Sequence, residues 1–333
     1  MNAAYPAADL AADANATPAP SARPRAVVFA YHNVGVRCLQ ALLGRGVEVP
    51  LVVTHQDNPR ETIWFASVAK LAASHGIPVI TPEDPNTDDV LAQVRAARPD
   101  FLFSFYYRYM LKAPLLAAAP RGAFNMHGSL LPQYRGRVPI NWAVIHGETE
   151  TGATLHQMNE KPDNGALVDQ MAVPILPDDS AQDVFEKVTV AAELVLWRCL
   201  PALLAGTARL TPQDLSQGAY FGGRKPEDGR IPPQLGAAAL HNFVRALTHP
   251  YPGAFADLPE GRLVVWQTRH AGPLRDGAQP PSAVTLLVAE GHLQLVCPDG
   301  GVLRVTDATL EGAPLEAGHF ATHFAQAAVS LAR

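Results

Sequence analysis

From Ala26 onward the chain alternates short apolar runs with longer amphipathic ones: AVVFAY, VRCLQALL, VPLVVT, WFASVAKLAASHG and FLFSFYY follow one another. Apolar runs of five or six residues separated by helix-length segments predict strands covered on both faces and joined by βαβ crossovers. Residues 25–212 therefore read as an α/β domain with a doubly wound, mostly parallel, Rossmann-like sheet. A long helix is expected from Ser180 to about Leu204, where Val184, Val188, Ala191, Val195, Leu196 and Cys199 recur at three- to four-residue spacing behind a capping serine. Past Thr211 the pattern changes. YFGGRKPEDGRI is a polar, glycine-rich connection and AALHNFVRAL a single helix, after which AFADL, RLVVWQTRH, AVTLLVAE, LQLVCP and VLRVTDATL are closely spaced β runs between Gly and Pro breaks. Residues 213–333 should form a linker, a helix and a smaller OB-like β-barrel or meander, closed by a helix over the last fifteen residues. Residues 1–24, rich in Ala, Pro, Asp, Asn and Ser, have neither a basic start nor an unbroken apolar stretch and read as a disordered extension.

Composition narrows the class. At 333 residues, about half of them apolar, the chain can bury a core in each of two domains. Lys plus Arg number 26 against 31 Asp plus Glu, and the net charge of -5 argues against a protein held on nucleic acid by counterion release. Cys38, Cys199 and Cys297 are far apart and set in apolar contexts, which suits buried thiols in a reducing compartment. No metal-ligand spacing occurs: His146, Gly147 and Glu148 lack the second histidine of a helical zinc motif. The most apolar helix candidate, near 184–205, carries Glu186, Lys187, Glu193 and Arg198, so no membrane span and a cytoplasmic location are expected. The first strand runs into YHNVG rather than a Gly-x-Gly-x-x-Gly turn, and no Gly-x-x-x-x-Gly-Lys-Ser/Thr run occurs, which demotes dinucleotide and phosphoryl-transfer chemistry.

The chemistry concentrates between Phe124 and Gln170, in FNMHGSLLPQYRGRVPINWAVIHGETETGATLHQMNEKPDNGALVDQ. Ala123 to Met126 suits a strand tip, and strand alternation would point Asn125 and His127 the same way. Gly128 would free the turn, Pro132 stiffen the loop and Pro139 open a helix. Taken singly, each polar residue has an ordinary role: a turn-forming asparagine, a packed histidine, an Asx turn at Asp163. An amide, an imidazole and a carboxylate in one glycine-rich stretch between strands are instead the parts of an acyl-transfer site. Ser129 beside His127 leaves a serine-nucleophile alternative, although the strained Gly-x-Ser-x-Gly elbow is lacking.

These stretches resemble the formyltransferase family that uses 10-formyltetrahydrofolate. FNMHGSLLPQYRGRVPINWAVIHGETETGATLHQM and KPDNGALV carry the likeness. VVFAYHNVG, THQDNPRETIWFASVAKLAASHGIPV and FSFYYRYML look most like the formyltransferase half of bifunctional enzymes that make UDP-4-deoxy-4-formamido-L-arabinose for lipid A modification and polymyxin resistance. The match runs from about residue 25 to 210 and is weaker beyond, where YFGGRKPED and HNFVRALTHPYPGAF are recognisable.

The resemblance implies His127 as the catalytic histidine, Asn125 as the group that stabilises the transition state and Asp163 as the carboxylate that tunes the histidine. It implies folate contacts at Tyr109, Met110, Leu111 and Arg137 and along Asn159, Glu160, Lys161, Pro162 and Asp163, and a nucleotide diphosphate contact at Arg224. Without the resemblance, Tyr109 to Leu111 could be an ordinary strand end and Arg137 a surface charge. The implied partners are the formyl donor 10-formyltetrahydrofolate and a UDP-linked amino sugar, with UDP-4-amino-4-deoxy-L-arabinose foremost, and no nucleic acid or metal. No decarboxylase domain follows, so a stand-alone formyltransferase is expected. Other sugar-nucleotide N-formyltransferases, methionyl-tRNA formyltransferase and formyltetrahydrofolate hydrolase are the family alternatives. HQDNPRETIWF has mixed charges where a tRNA-binding member would carry a lysine-rich insertion.

Overall fold

The apolar runs become strands because each presents hydrophobic side chains to both faces. A computed structural model describes residues 23–58 and 63–332; the extension expected over 1–24 lies, through residue 22, outside the described residues. In chain order the first part comprises β1 (Arg25–Ala30), α1 (His32–Gly44), β2 (Glu48–Val53), α2 (Val68–Ser74), β3 (Val79–Ile80), α3 (Asp88–Ala96), β4 (Phe101–Phe105) and α4 (Ala113–Leu116). There follow β5 (Ala123–His127), β6 (Arg135–Gly136), α5 (Pro139–His146), β7 (Glu150–Gln157), β8 (Leu167–Pro174) and α6 (Ala181–Ala205). In β1, Ala26, Val28 and Ala30 join one apolar cluster while Val27 and Phe29 join the other, all fully buried.

The sheet order is β3-β2-β1-β4-β5-β7-β8. The first five strands pair in parallel, and β7 and β8 add antiparallel at one edge, so the sheet is mostly parallel, as its sequence pattern predicts. Ser180 and Asp183 close a reciprocal capping box on α6, with Asp183 N–H to Ser180 Oγ at 3.2 Å and Ser180 N–H to Asp183 Oδ2 at 2.8 Å. By length and composition α6 could cross a membrane, but it packs on α1, β7 and β8 as a core helix. The run WFASVAKLAASHG turns helical only at Val68, because Ser67 caps there through the Lys70 N–H. Trp64 and Phe65 stay outside that helix and pack on the His32 ring.

After β9 (Tyr220–Phe221), which pairs with β6, α7 (Ala237–Leu247) leads into β10 (Ala254–Leu258), β11 (Gly261–Pro273), β12 (Thr285–Ala289), β13 (His292–Val296), β14 (Gly301–Leu310), β15 (Ala313–Pro314), α8 (Phe320–His323) and β16 (Ala328–Ser330). These strands build a curled antiparallel sheet in the order β10-β11-β14-β13-β12-β16. The closing helix expected over the last fifteen residues is only the single turn of α8. Val329 and Leu331 alternate into the core, and that two-residue period favours β16, paired with β12, over a continued helix. One continuous apolar cluster takes in Val144 of α5, Leu240 and Val244 of α7 and Leu263 of β11, and Asn141 Nδ2 donates to the Ala246 carbonyl at 2.9 Å. The loop after α7 is thereby drawn toward the carboxyl ends of β1, β4 and β5.

Because the Ser180 side chain satisfies an otherwise orphaned amide, Ser180→Ala is expected to cost about 1 kcal/mol. A denaturation midpoint lowered at unchanged m-value would show it; an unshifted midpoint would mean the cap contributes nothing.

Candidate active site

Strand β5 lies between β4 and β7, with Asn125 opposite Ser104 on one side and His156 on the other, and His127 opposite Thr154. Two-residue alternation turns the Asn125 and His127 side chains to one face, where both line a cavity. Asp163 reaches them from the loop after β7. It adopts left-handed backbone, at φ 54°, which short polar side chains tolerate best. Its Oδ1 lies 3.5 Å from His127 Nδ1 and 3.5 Å from His156 Nε2, and its Oδ2 accepts the Gly136 N–H at 2.8 Å. Gly136 has φ 101°, and a Cβ there would fall 2.2 Å from the Phe221 carbonyl oxygen, so only glycine brings this amide to the carboxylate.

His127 is buried, and its Nε2 sits 2.8 Å from the Tyr134 carbonyl oxygen. A carbonyl only accepts, so Nε2 carries a proton and Nδ1 faces Asp163. Tyr134 is itself held: its hydroxyl donates to Glu148 at 2.7 Å and lies 3.1 Å from His146 Nδ1. His146 and Glu148 thus support the residue that orients His127. Burial disfavours a charged Asp163, but the charges that His127 and His156 carry when protonated, the hydrogen bond His156 can then donate, and the Gly136 amide outweigh it and hold the carboxyl well below the usual carboxylate range.

The cavity, about 1040 Å³, opens at the carboxyl ends of β1, β4 and β5, where ligands of doubly wound sheets bind. Of the residues expected there, Asn125, His127, Asp163, Tyr109, Met110, Leu111, Arg137, Asn159, Lys161 and Pro162 line it. Tyr109, Met110 and Arg137 are exposed, and Leu111 is buried. Glu160 is exposed and off the cavity wall. Arg224 lines a separate cavity of about 130 Å³ that shares the Val138, Asn141 and Tyr251 walls with the large one. Its Nη2 donates to the Asp228 carbonyl at 2.6 Å, and its guanidinium lies 4.9 Å over the Trp142 ring.

Gly128 does not supply a left-handed turn. A Cβ there would meet the Tyr106 hydroxyl at 2.3 Å, so close approach is what requires glycine. Ser129 is fully buried and donates to the Gln133 carbonyl at 2.6 Å, which removes it as an accessible nucleophile. Among the described non-glycine residues with positive φ, His32, Tyr106, Val138 and Asp163 all line the cavity, a concentration of strain suited to a functional site.

Residues 26–200 match the family described as formyl transferase, and residues 224–324 match the formyl transferase C-terminal domain. The chain belongs to the formyl transferase family. Its fold is similar to that of an N-formyltransferase from Helicobacter canadensis in complex with folinic acid and dTDP-3-aminofucose, at 19% identity and a TM-score of 0.64, over 85% of this chain and 98% of that one. WlaRD, a sugar 3N-formyl transferase solved with dTDP and 5-N-formyl-THF, is 18% identical with a TM-score of 0.64, over 86% of this chain and 98% of its own. HypX from Aquifex aeolicus, in complex with tetrahydrofolic acid, is 16% identical with a TM-score of 0.58, over 88% of this chain but 46% of its own length. At these identities the likeness establishes the fold.

Sequence reading missed three parts of this formyl transferase site. His156 stands in ATLHQM as the one imidazole of strand β7, next to the apolar Leu155, a signal that could have singled it out. In sequence YHNVG shows the lack of a phosphate turn and carries a share of the family resemblance, with no site residue singled out, yet Tyr31 and His32 line the cavity with Trp64, Phe65 and Tyr106. Burial first, and the Arg108 charge second, bring the His32 imidazole down to about 3, so it stays neutral there. His249, Pro250, Tyr251 and Pro252, from the loop after α7, complete the wall.

A carboxyl held low in the folded state stabilises the fold most where it is ionised. That contribution is complete above the unfolded value near about 4 and is lost as pH falls through the folded one. The stability advantage of wild type over Asp163→Asn should therefore be largest above pH about 5 and shrink on acidification. Thermal melts of the pair across that range test it, and a pH-independent difference would refute it.

Proposed function

We propose that this chain transfers the formyl group of 10-formyltetrahydrofolate to the amine of a nucleotide-linked amino sugar. One observation carries the proposal: in a formyl transferase family member, the Asn125 carboxamide, His127 imidazole and Asp163 carboxylate converge on one cavity. The fold likeness to structures holding folates with dTDP or dTDP-3-aminofucose supports both substrate classes. At about 1040 Å³ the cavity is at the upper end of the range for a single small ligand, roughly 300–1000 Å³, which suits two substrates meeting at one point.

The folate fits the rim formed by Tyr109, Met110 and Leu111 and by Asn159, Lys161 and Pro162, which offers an aromatic ring, apolar surface and a few polar groups. When bound it supplies the formyl group. An Asn125 N–H would hold the formyl oxygen as negative charge develops there, worth on the order of 3 kcal/mol when well aimed. His127 would carry the proton needed by the departing folate nitrogen, with Asp163 beside Nδ1 keeping the ring oriented. Among acceptors, the sequence resemblance favours UDP-4-amino-4-deoxy-L-arabinose, and it is the first to test. Arg224, in the adjoining cavity, would approach the nucleotide end through the Val138 and Tyr251 wall.

The expected result of an assay with 10-formyltetrahydrofolate is tetrahydrofolate release that requires a UDP- or dTDP-linked amino sugar. Release undiminished without acceptor would identify a hydrolase instead. His127→Ala should lower kcat by about 10²- to 10⁴-fold with near-normal folding. Unchanged turnover in that variant would remove His127 as the proton carrier.

A further inference from the structure

His156 occupies the position opposite Asn125 in the β5–β7 ladder and is buried to 2% exposure, so it cannot serve solvent and must answer to its neighbours. Its Nδ1 lies 2.9 Å from the Gln157 carbonyl oxygen, which only accepts; Nδ1 therefore carries a proton. With one proton on the ring, Nε2 is then an acceptor, and the Asn125 Nδ2 stands 3.1 Å from it. The Asp163 Oδ1, also an acceptor, is at 3.5 Å from the same nitrogen. Nε2 cannot accept from Asn125 and donate to Asp163 at once. A carboxamide whose partners do not tell its oxygen from its nitrogen can turn half a revolution and exchange them.

We propose that His156, in its Nδ1-protonated form, is a positioning residue that fixes the sense of the Asn125 carboxamide. One Nδ2–H is bound by His156 Nε2, and the other is left for the cavity and the formyl oxygen. A second proton on His156 would turn Nε2 toward Asp163 and deprive the amide of the partner that sets its orientation. This inference rests on the role of Asn125 proposed above.

Two measurements test it. Proton–nitrogen correlation spectra of the imidazole rings in the wild-type protein should find the His156 proton on Nδ1, a result that depends on no variant folding; a proton on Nε2 overturns the proposal. In a double-mutant cycle, His156→Leu should lower kcat about 10²-fold with KM for the formyl donor little changed, yet by no more than about 3-fold when added to Asn125→Ala. His156→Gln, whose amide oxygen can accept from Asn125, should recover activity to within about 10-fold of wild type, a rescue that a purely structural role does not predict. Losses that multiply in the double mutant overturn this inference alone. An Asn125→Ala variant with undiminished kcat overturns the Asn125 role and this inference with it.

Discussion

The Asp163 carboxylate is the interaction around which the site is assembled. Burying an ion costs several kcal/mol unless its surroundings compensate it, and here the Gly136 amide donates to it while the His127 and His156 rings lie beside it, each at 3.5 Å. Each neighbour imposes its own demand on the chain. The amide requires glycine at 136 and the β6–β9 pairing that shapes it. The imidazoles require two neighbouring strands in register, and the carboxylate itself requires a left-handed residue within its loop. An aspartate meets that last demand at low cost because its short polar side chain tolerates this backbone region.

Around this charge the sheet supplies rigidity and the loops supply shape. His127 is held from both ring nitrogens, by Tyr134 on one side and Asp163 on the other, and Tyr134 is in turn fixed by His146 and Glu148. The proton-carrying role proposed for His127 would gain from such support, since orientation errors of an ångström can cost orders of magnitude in rate. The remaining walls come from elements far apart in sequence, from Tyr31 at the end of β1 to Tyr251 beyond α7. They meet because α5, α7 and β11 share a single apolar cluster, so the loop after α7 closes the cavity that the parallel sheet opens.

Much of this was legible in the chain itself. Two-sided apolar runs such as AVVFAY announced buried parallel strands, Ser180 announced the start of the long core helix, and the two-residue offset of Asn125 and His127 announced a shared face. What escaped had weak or misleading local signals. The terminal segment has helix-like composition but alternates at Val329 and Leu331, and pairing with β12 decided in favour of a strand. Gly128 looked like a turn residue, whereas its role is to admit the Tyr106 hydroxyl, a contact between residues 22 positions apart. His156 and the Tyr31–His32 wall escaped because each contributes only through strands that the sequence does not show as neighbours.

By itself, then, the sequence determined most of the strands and helices ahead of the terminal segment, which residues had the chemistry for acyl transfer, and which family the chain resembles. These follow from local periodicity and residue type. Tertiary structure alone decided that Asp163 faces both His127 and His156, that His156 stands opposite Asn125, and that Glu160 and Arg224 stand off the main cavity wall. The reason is that strand register and loop closure set distances between residues remote in the chain. Hydrogen bonds and charges act only over those distances.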